Sequence, residues 1–130
     1  MKTYRILIIL LAGASIQATL AHVLPSNKNA MQDEPVIEVV VYQVKPEAVN
    51  TPSVLTTEVN AIISQMEGFV SRSTLQSSED PTLLMDYVEW ESLAAAKAAM
   101  EKAQSMPELA TFFQSTTKIE SMHHFRKKAL

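Results

Sequence analysis

The sequence predicts one small α+β domain with the element order strand–helix–strand–strand–helix–strand. Three observations carry this. Residues 36–44 (VIEVVVYQV) are rich in β-branched side chains, which suit a pleated surface. Residues 69–76 and 82–90 have the same character on either side of a short polar gap at 77–81, as in a hairpin. Two further stretches read as helices, one from the spacing of its apolar residues and one from its alanine content.

From the start of the chain, Lys2 and Arg5 precede an uncharged apolar run from Ile6 to Ile16, and Ala18, Thr19, Leu20 and Ala21 follow. A basic start, a short apolar stretch and small residues at the cut mark a secretory signal peptide, here residues 1–21, cleaved after Ala21. The alternative is an uncleaved anchor, but the run is shorter than the about 20 apolar residues that span a bilayer. A secreted or periplasmic protein is therefore expected, without stable membrane insertion after cleavage. Residues 22–34 (HVLPSNKNAMQDE) read as a flexible lead-in, residues 35–126 as the domain and 127–130 as a tail.

In the first strand Ile37, Val39 and Val41 share one face, and Glu38, Val40, Tyr42 and Val44 share the other. Both faces are largely apolar, so both are expected to be covered. Residues 45–50 form a turn around Pro46. Thr51 then caps a helix with Pro52 in its first position, and Leu55, Val59, Ile62, Ile63 and Met66 make its buried stripe. Gly68 ends that helix. After the hairpin, Ser92 caps a second helix from Leu93 to about Gln104. Pro107 interrupts it, and residues 108–114 add a further helical turn or two. Residues 115–125 read as the last strand, with Ile119, Ser121, His123 and Phe125 on one face. This order is the ferredoxin-like βαββαβ pattern around an antiparallel four-stranded sheet. Its helices cover one sheet face, so a second copy packed sheet to sheet is the simplest cover for the other.

Composition excludes several classes of function. Removing residues 1–21 takes away Lys2 and Arg5 and no acid, which leaves 9 basic against 14 acidic residues, a net charge of −5. Nucleic acid needs a basic face, so it is not an expected partner. Arg126, Lys127 and Lys128 form a short basic end that reads as solvated. The chain has no cysteine, so neither a lipid-linked cysteine nor a disulfide framework is available. Its two glycines are Gly13 and Gly68, too few for a glycine-rich phosphate loop.

Four segments, EVVVYQVKP at 38–46, MEGFVSRSTLQSSED at 66–80, LLMDYVEWESLAAAKAAM at 83–100 and SMHHF at 121–125, resemble the antibiotic biosynthesis monooxygenase family. The likeness is to its small YdhR-like members and covers residues 35–125. It implies a dimeric α+β barrel, in which two sheets pack together and each subunit holds a pocket between its helices and its own sheet. It also implies cofactor-free oxygenation, in which an electron-rich phenolic or quinol-type substrate itself reduces oxygen; no cofactor and no metal are expected. The family's haem-degrading branch uses an Asn on the first strand, a Trp ending the third and an axial His on the second helix. Trp90 matches, but residues 36–44 contain no Asn and residues 92–113 no His, so haem cleavage is not implied.

The candidate site lies on the helix side of the sheet, near the end of the third strand. Trp90 is the first candidate for lining it, against a plain role in the core. Asp86, Val88 and Trp90 share a face by strand alternation. Asp86 and Glu38 are carboxylates within apolar strands, where each is either a base or half of a structural pair. Arg72 either binds an anionic group or pairs with a carboxylate. His123 and His124 point to opposite faces, so one of them can serve the site as an acid or base. The catalytic candidates are therefore His123, His124 and Asp86, and the substrate-binding candidates are Trp90, Glu38 and Arg72. His22 would become the mature N-terminus and a conceivable copper ligand, without an evident partner. Met66, Met85, Met100 and Met122 read as core filler. Two further readings stand beside oxygenation: a dimer that binds a small apolar molecule without chemistry, and a purely structural dimer with a filled pocket.

Overall fold

The computed structural model describes residues 34–129. The expected signal peptide, His22 and nearly all of the lead-in lie outside the described residues.

Four strands form one antiparallel sheet: β1 (Val36–Val44), β2 (Phe69–Gln76), β3 (Leu83–Trp90) and β4 (Thr116–Phe125). Their spatial order is β2-β3-β1-β4, the ferredoxin-like arrangement. The two central strands are thus the most apolar ones. Within one chain the sheet is open, with β2 and β4 at its edges.

The region between β1 and β2 differs from the single helix expected. It is three short pieces, α1 (Pro46–Val49), α2 (Pro52–Leu55) and α3 (Thr57–Ile63). The residues expected to form a turn around Pro46 are thus a helical turn of their own. Pro52 does occupy the first turn of α2, with Thr51 at its cap, although the Thr51 side chain makes no capping hydrogen bond. The break falls at Thr56, whose φ of −119° and ψ of −77° depart from helical values. Its hydroxyl bonds back to the Pro52 carbonyl at 2.8 Å, the local competition by which Thr bends a helix. The expected stripe survives the break: Leu55, Val59 and Met66 are buried, and Ile62 and Ile63 pack beside Met66.

After β3, the Ser92 side chain accepts a hydrogen bond from the Ala95 amide and caps α4 (Leu93–Gln104). A 3-10 turn at Pro107–Leu109 leads into α5 (Ala110–Ser115). All helices lie on one sheet face. They bury two apolar clusters, one around Trp90, Val88, Met66 and Ala96, the other around Tyr42, Val44, Leu55 and Leu84. Among the described residues, no helix is long and apolar enough to cross a membrane.

The expected alternation of β4 holds only for its second half. Phe125, His123 and Ser121 oppose Ile37, Val39 and Val41, but a register shift then places Ile119 opposite Tyr42. The extra residue of this irregularity moves Ile119 to the helix side.

Candidate functional site

Between the two clusters the helices stand off the sheet and enclose a cavity of about 210 Å³. Its floor is formed by residues 38, 40 and 42 of β1 and 86, 88 and 90 of β3, which strand alternation turns to the same side. The roof comes from α3, α4 and α5 and is apolar apart from Gln104. Gln104 and Phe113 are exposed and stand at the mouth.

One wall carries a closed polar network. Arg72, its side chain 2% exposed, donates to Asp86 Oδ2 from Nε at 3.1 Å and from Nη2 at 2.7 Å. It also donates to the carbonyls of Thr56 and Leu55 at 3.1 and 2.9 Å, at the break between α2 and α3. Asp86 Oδ1 accepts from Thr74 at 2.7 Å and from Tyr42 at 3.2 Å. Each buried charge therefore has a partner, without which burial would cost several kcal/mol. Burial, followed by the Asp86 charge, raises the proton affinity of the Tyr42 hydroxyl, which stays protonated as a donor. Asp86 accepts four hydrogen bonds and is thereby held in the wall.

The opposite end of the floor is different. Glu38 reaches the cavity, and its Oε2 lies 2.9 Å from His124 Nε2. The two residues are direct cross-strand partners on β1 and β4. Burial pushes the Glu38 carboxyl above the usual carboxylate range. The charge and hydrogen bond of His124 pull it back, Asp86 pushes it up, and the Trp90 N–H is the weakest influence favouring ionisation. Trp90 Nε1 is buried and makes no full hydrogen bond; its polar influence falls on Glu38. The Trp90 ring itself meets Phe69 edge-on, with centroids 5.8 Å apart.

The structure thus brings Glu38, Trp90, Asp86 and Arg72 to one cavity. His124 stands behind Glu38 rather than on the cavity surface. His123 lies on the far face of the sheet, its ring 6.0 Å from that of Phe125, and is separated from the cavity by the sheet itself. Of the four methionines expected as core filler, Met66, Met100 and Met122 line the cavity, while Met85 faces away. Sequence reasoning missed three contributors: Tyr42 and Thr74, which complete the Asp86 network, and the Phe112–Phe113 pair, whose rings meet edge-on 5.5 Å apart. The adjacent aromatics after Pro107 were the available signal. Among the described residues, no group of three or more His, Cys, Asp or Glu side chains is placed to hold a metal ion.

Fold and site together define a small α+β domain that keeps a ligand-sized apolar cavity between its helices and its sheet. Residues 35–115 match the model of the antibiotic biosynthesis monooxygenase family, and the chain belongs to that family. Solved structures of the same fold include a substituted form of SnoaB, a cofactor-independent oxygenase from Streptomyces nogalater, at 16% identity and a TM-score of 0.61, covering 75% of this chain and 96% of that one. A candidate antibiotic biosynthesis monooxygenase from Bordetella bronchiseptica superimposes with a TM-score of 0.64 at 14% identity, over 74% of this chain and 99% of its own. A conserved protein from Methanosarcina mazei gives 0.57 at 19% identity, over 77% and 99%. At these identities the likeness establishes the fold. No curated protein matches the chain significantly.

Proposed function

We propose that this protein is a cofactor-independent monooxygenase acting on a small phenol or hydroquinone. One observation carries the reading: an apolar cavity ends on a carboxylate of raised proton affinity, Glu38, which a second residue, His124, holds in place. The family and the cofactor-independent activity of SnoaB support it. Size narrows the substrate. An apolar cavity of about 150 Å³ takes benzene, so 210 Å³ suits a single substituted ring.

Glu38 takes the phenolic proton, and the electron-rich ring then reduces dioxygen. A carbon–oxygen bond forms at the ring, the oxygen–oxygen bond breaks, and the second oxygen leaves as water. A phenol with a free para position thus gives the para-quinone and water, with all four electrons supplied by substrate. The protein's part is to exclude water and to hold and return a proton.

Oxygen consumption against a panel of monocyclic phenols and hydroquinones tests this. Uptake should depend on the protein and fall about a hundredfold or more in Glu38→Gln. Binding of the same compounds without oxygen uptake would replace this reading with that of a non-enzymatic binding protein.

The working form is proposed to be a homodimer joined through the outer sheet faces, as members of this family are typically dimeric. Export is proposed from residues 1–21 of the sequence alone.

A further inference from the structure

The cavity does not end at its mouth. Gln104 and Phe113, which stand there, also line a shallow surface groove of about 390 Å³ between the end of α4 and α5. The groove continues over Ser105, Met106, Pro107 and Gln114. Phe113 is thus the partition between the two spaces. It is the outermost of three rings that meet edge-on in series, Tyr42 to Phe112 at 5.6 Å and Phe112 to Phe113 at 5.5 Å. At 42% exposure it offers apolar surface to whatever leaves the cavity on this side. The chemistry of the groove differs from that of the cavity. No residue lining it carries a charge. The exposed amides of Gln104 and Gln114 can each donate and accept. The Ser105 hydroxyl gives its proton to the Lys102 carbonyl at 2.9 Å and keeps its oxygen as an acceptor.

We infer that this groove is a second subsite, which takes a short neutral side arm of the same ligand whose ring fills the cavity. A space of about 210 Å³ is filled by one ring, so an arm of a few atoms leaves through the mouth and meets the groove. Methylenes of the arm pack on Phe113 and Pro107. Its end is an amide or a hydroxyl, which exchanges hydrogen bonds with the two glutamine amides. A carboxylate or ammonium finds no opposite charge in the groove and gives up water without return. The inference rests on the cavity being the working site, and adds to the ring the substituent that the site reads.

Phenol and three phenols with a meta arm are matched probes: propylphenol, hydroxyphenylpropanamide and hydroxyphenylpropanoate. The meta position leaves the para carbon free. Calorimetry or ligand-observed NMR should show the amide binding at least about tenfold tighter than phenol, the propyl compound between them, and the carboxylate no tighter than phenol. In a ¹⁵N-labelled protein the amide ligand should shift the side-chain amide resonances of Gln104 and Gln114, and phenol should leave that of Gln114 in place. Gln114→Trp fills the groove from an exposed position outside the cavity. It should abolish the advantage of the arm and change phenol binding by less than about twofold, with an unchanged thermal melt. Equal binding of phenol and the amide, an unmoved Gln114 resonance, or a carboxylate as tight as the amide would overturn the inference. Oxygen uptake with phenol but no gain from the arm sinks this inference alone. A gain from the arm without uptake sinks the oxygenase reading alone, and no binding of any probe sinks both.

Discussion

Glu38 shows how a neighbour can set the use of a carboxylate. Desolvation raises its proton affinity; His124 at 2.9 Å opposes that by charge and hydrogen bond. Its folded proton affinity still lies above the ordinary value of 4.5. The folded state therefore binds this proton more tightly than the unfolded state. The stability this gives is fully present below the ordinary glutamate range and is lost as pH rises through the raised value. In His124→Gln the donor remains but the positive charge is gone, so the Glu38 proton affinity should rise further. The acid limb of the oxygen-uptake profile should then move to higher pH, with a smaller loss at the optimum than the about hundredfold of removing the base. An unchanged limb would mean that His124 only fills space. Strand alternation made Asp86 and Trp90 legible as neighbours on one face, but not that Glu38 of β1 shares it, which depends on the β1–β3 register. Which histidine joined them was not legible, because that depends on the β1–β4 register. The irregularity near Ile119 also lacks the Gly or Pro that would have announced it.

At the scale of elements, the strands and α4 were readable because each has a local cause: β-branched runs, a polar gap, a serine cap. The helical region after β1 was not, because its apolar stripe continues across Thr56 while its backbone does not. Arg72, sixteen residues further on, takes a carbonyl at that break, and no local rule reaches so far. Gly68 is the opposite case. Its φ of +76° is one that a side chain resists, and a Cβ there would stand 2.5 Å from the Ala95 Cβ of α4. The close approach seats α4 against the start of β2 and the turn before it. Gly68→Ala combines a left-handed backbone cost of about 1–2 kcal/mol with overpacking of about 1–3 kcal/mol. Urea unfolding should show a loss of about 2–5 kcal/mol, a large share of the about 5–15 kcal/mol typical of a domain. A loss below about 1 kcal/mol would show that α4 can shift freely, and that its seat does not shape the cavity.

For the whole molecule, the open sheet is the governing fact. Helices cover the cavity face, while Ile37, Val39 and Val41 of β1 and Met85 and Tyr87 of β3 alternate onto the outer face. At the margins of that face Leu75 is 47% and Phe125 51% exposed. Apolar side chains spread over two central strands and both edges favour burial against a like surface, which closes a symmetric pair without leaving a further sticky face. The protein should therefore show twice the mass of one chain by light scattering at micromolar concentration. Val41→Glu is the sharper probe, since the residue sits at mid-strand between Met85 and Ser121, with no cation directly across from it. In the dimer it would bury an unpaired carboxylate on each side, at a cost of several kcal/mol and so at least about a thousandfold in affinity. The variant should run as a monomer and still bind phenol, because the cavity lies on the other side of the sheet. A monomeric wild type would refute the sheet-to-sheet dimer. Loss of phenol binding in a folded Val41→Glu monomer would instead show that the second chain is needed to hold the floor of the cavity in shape.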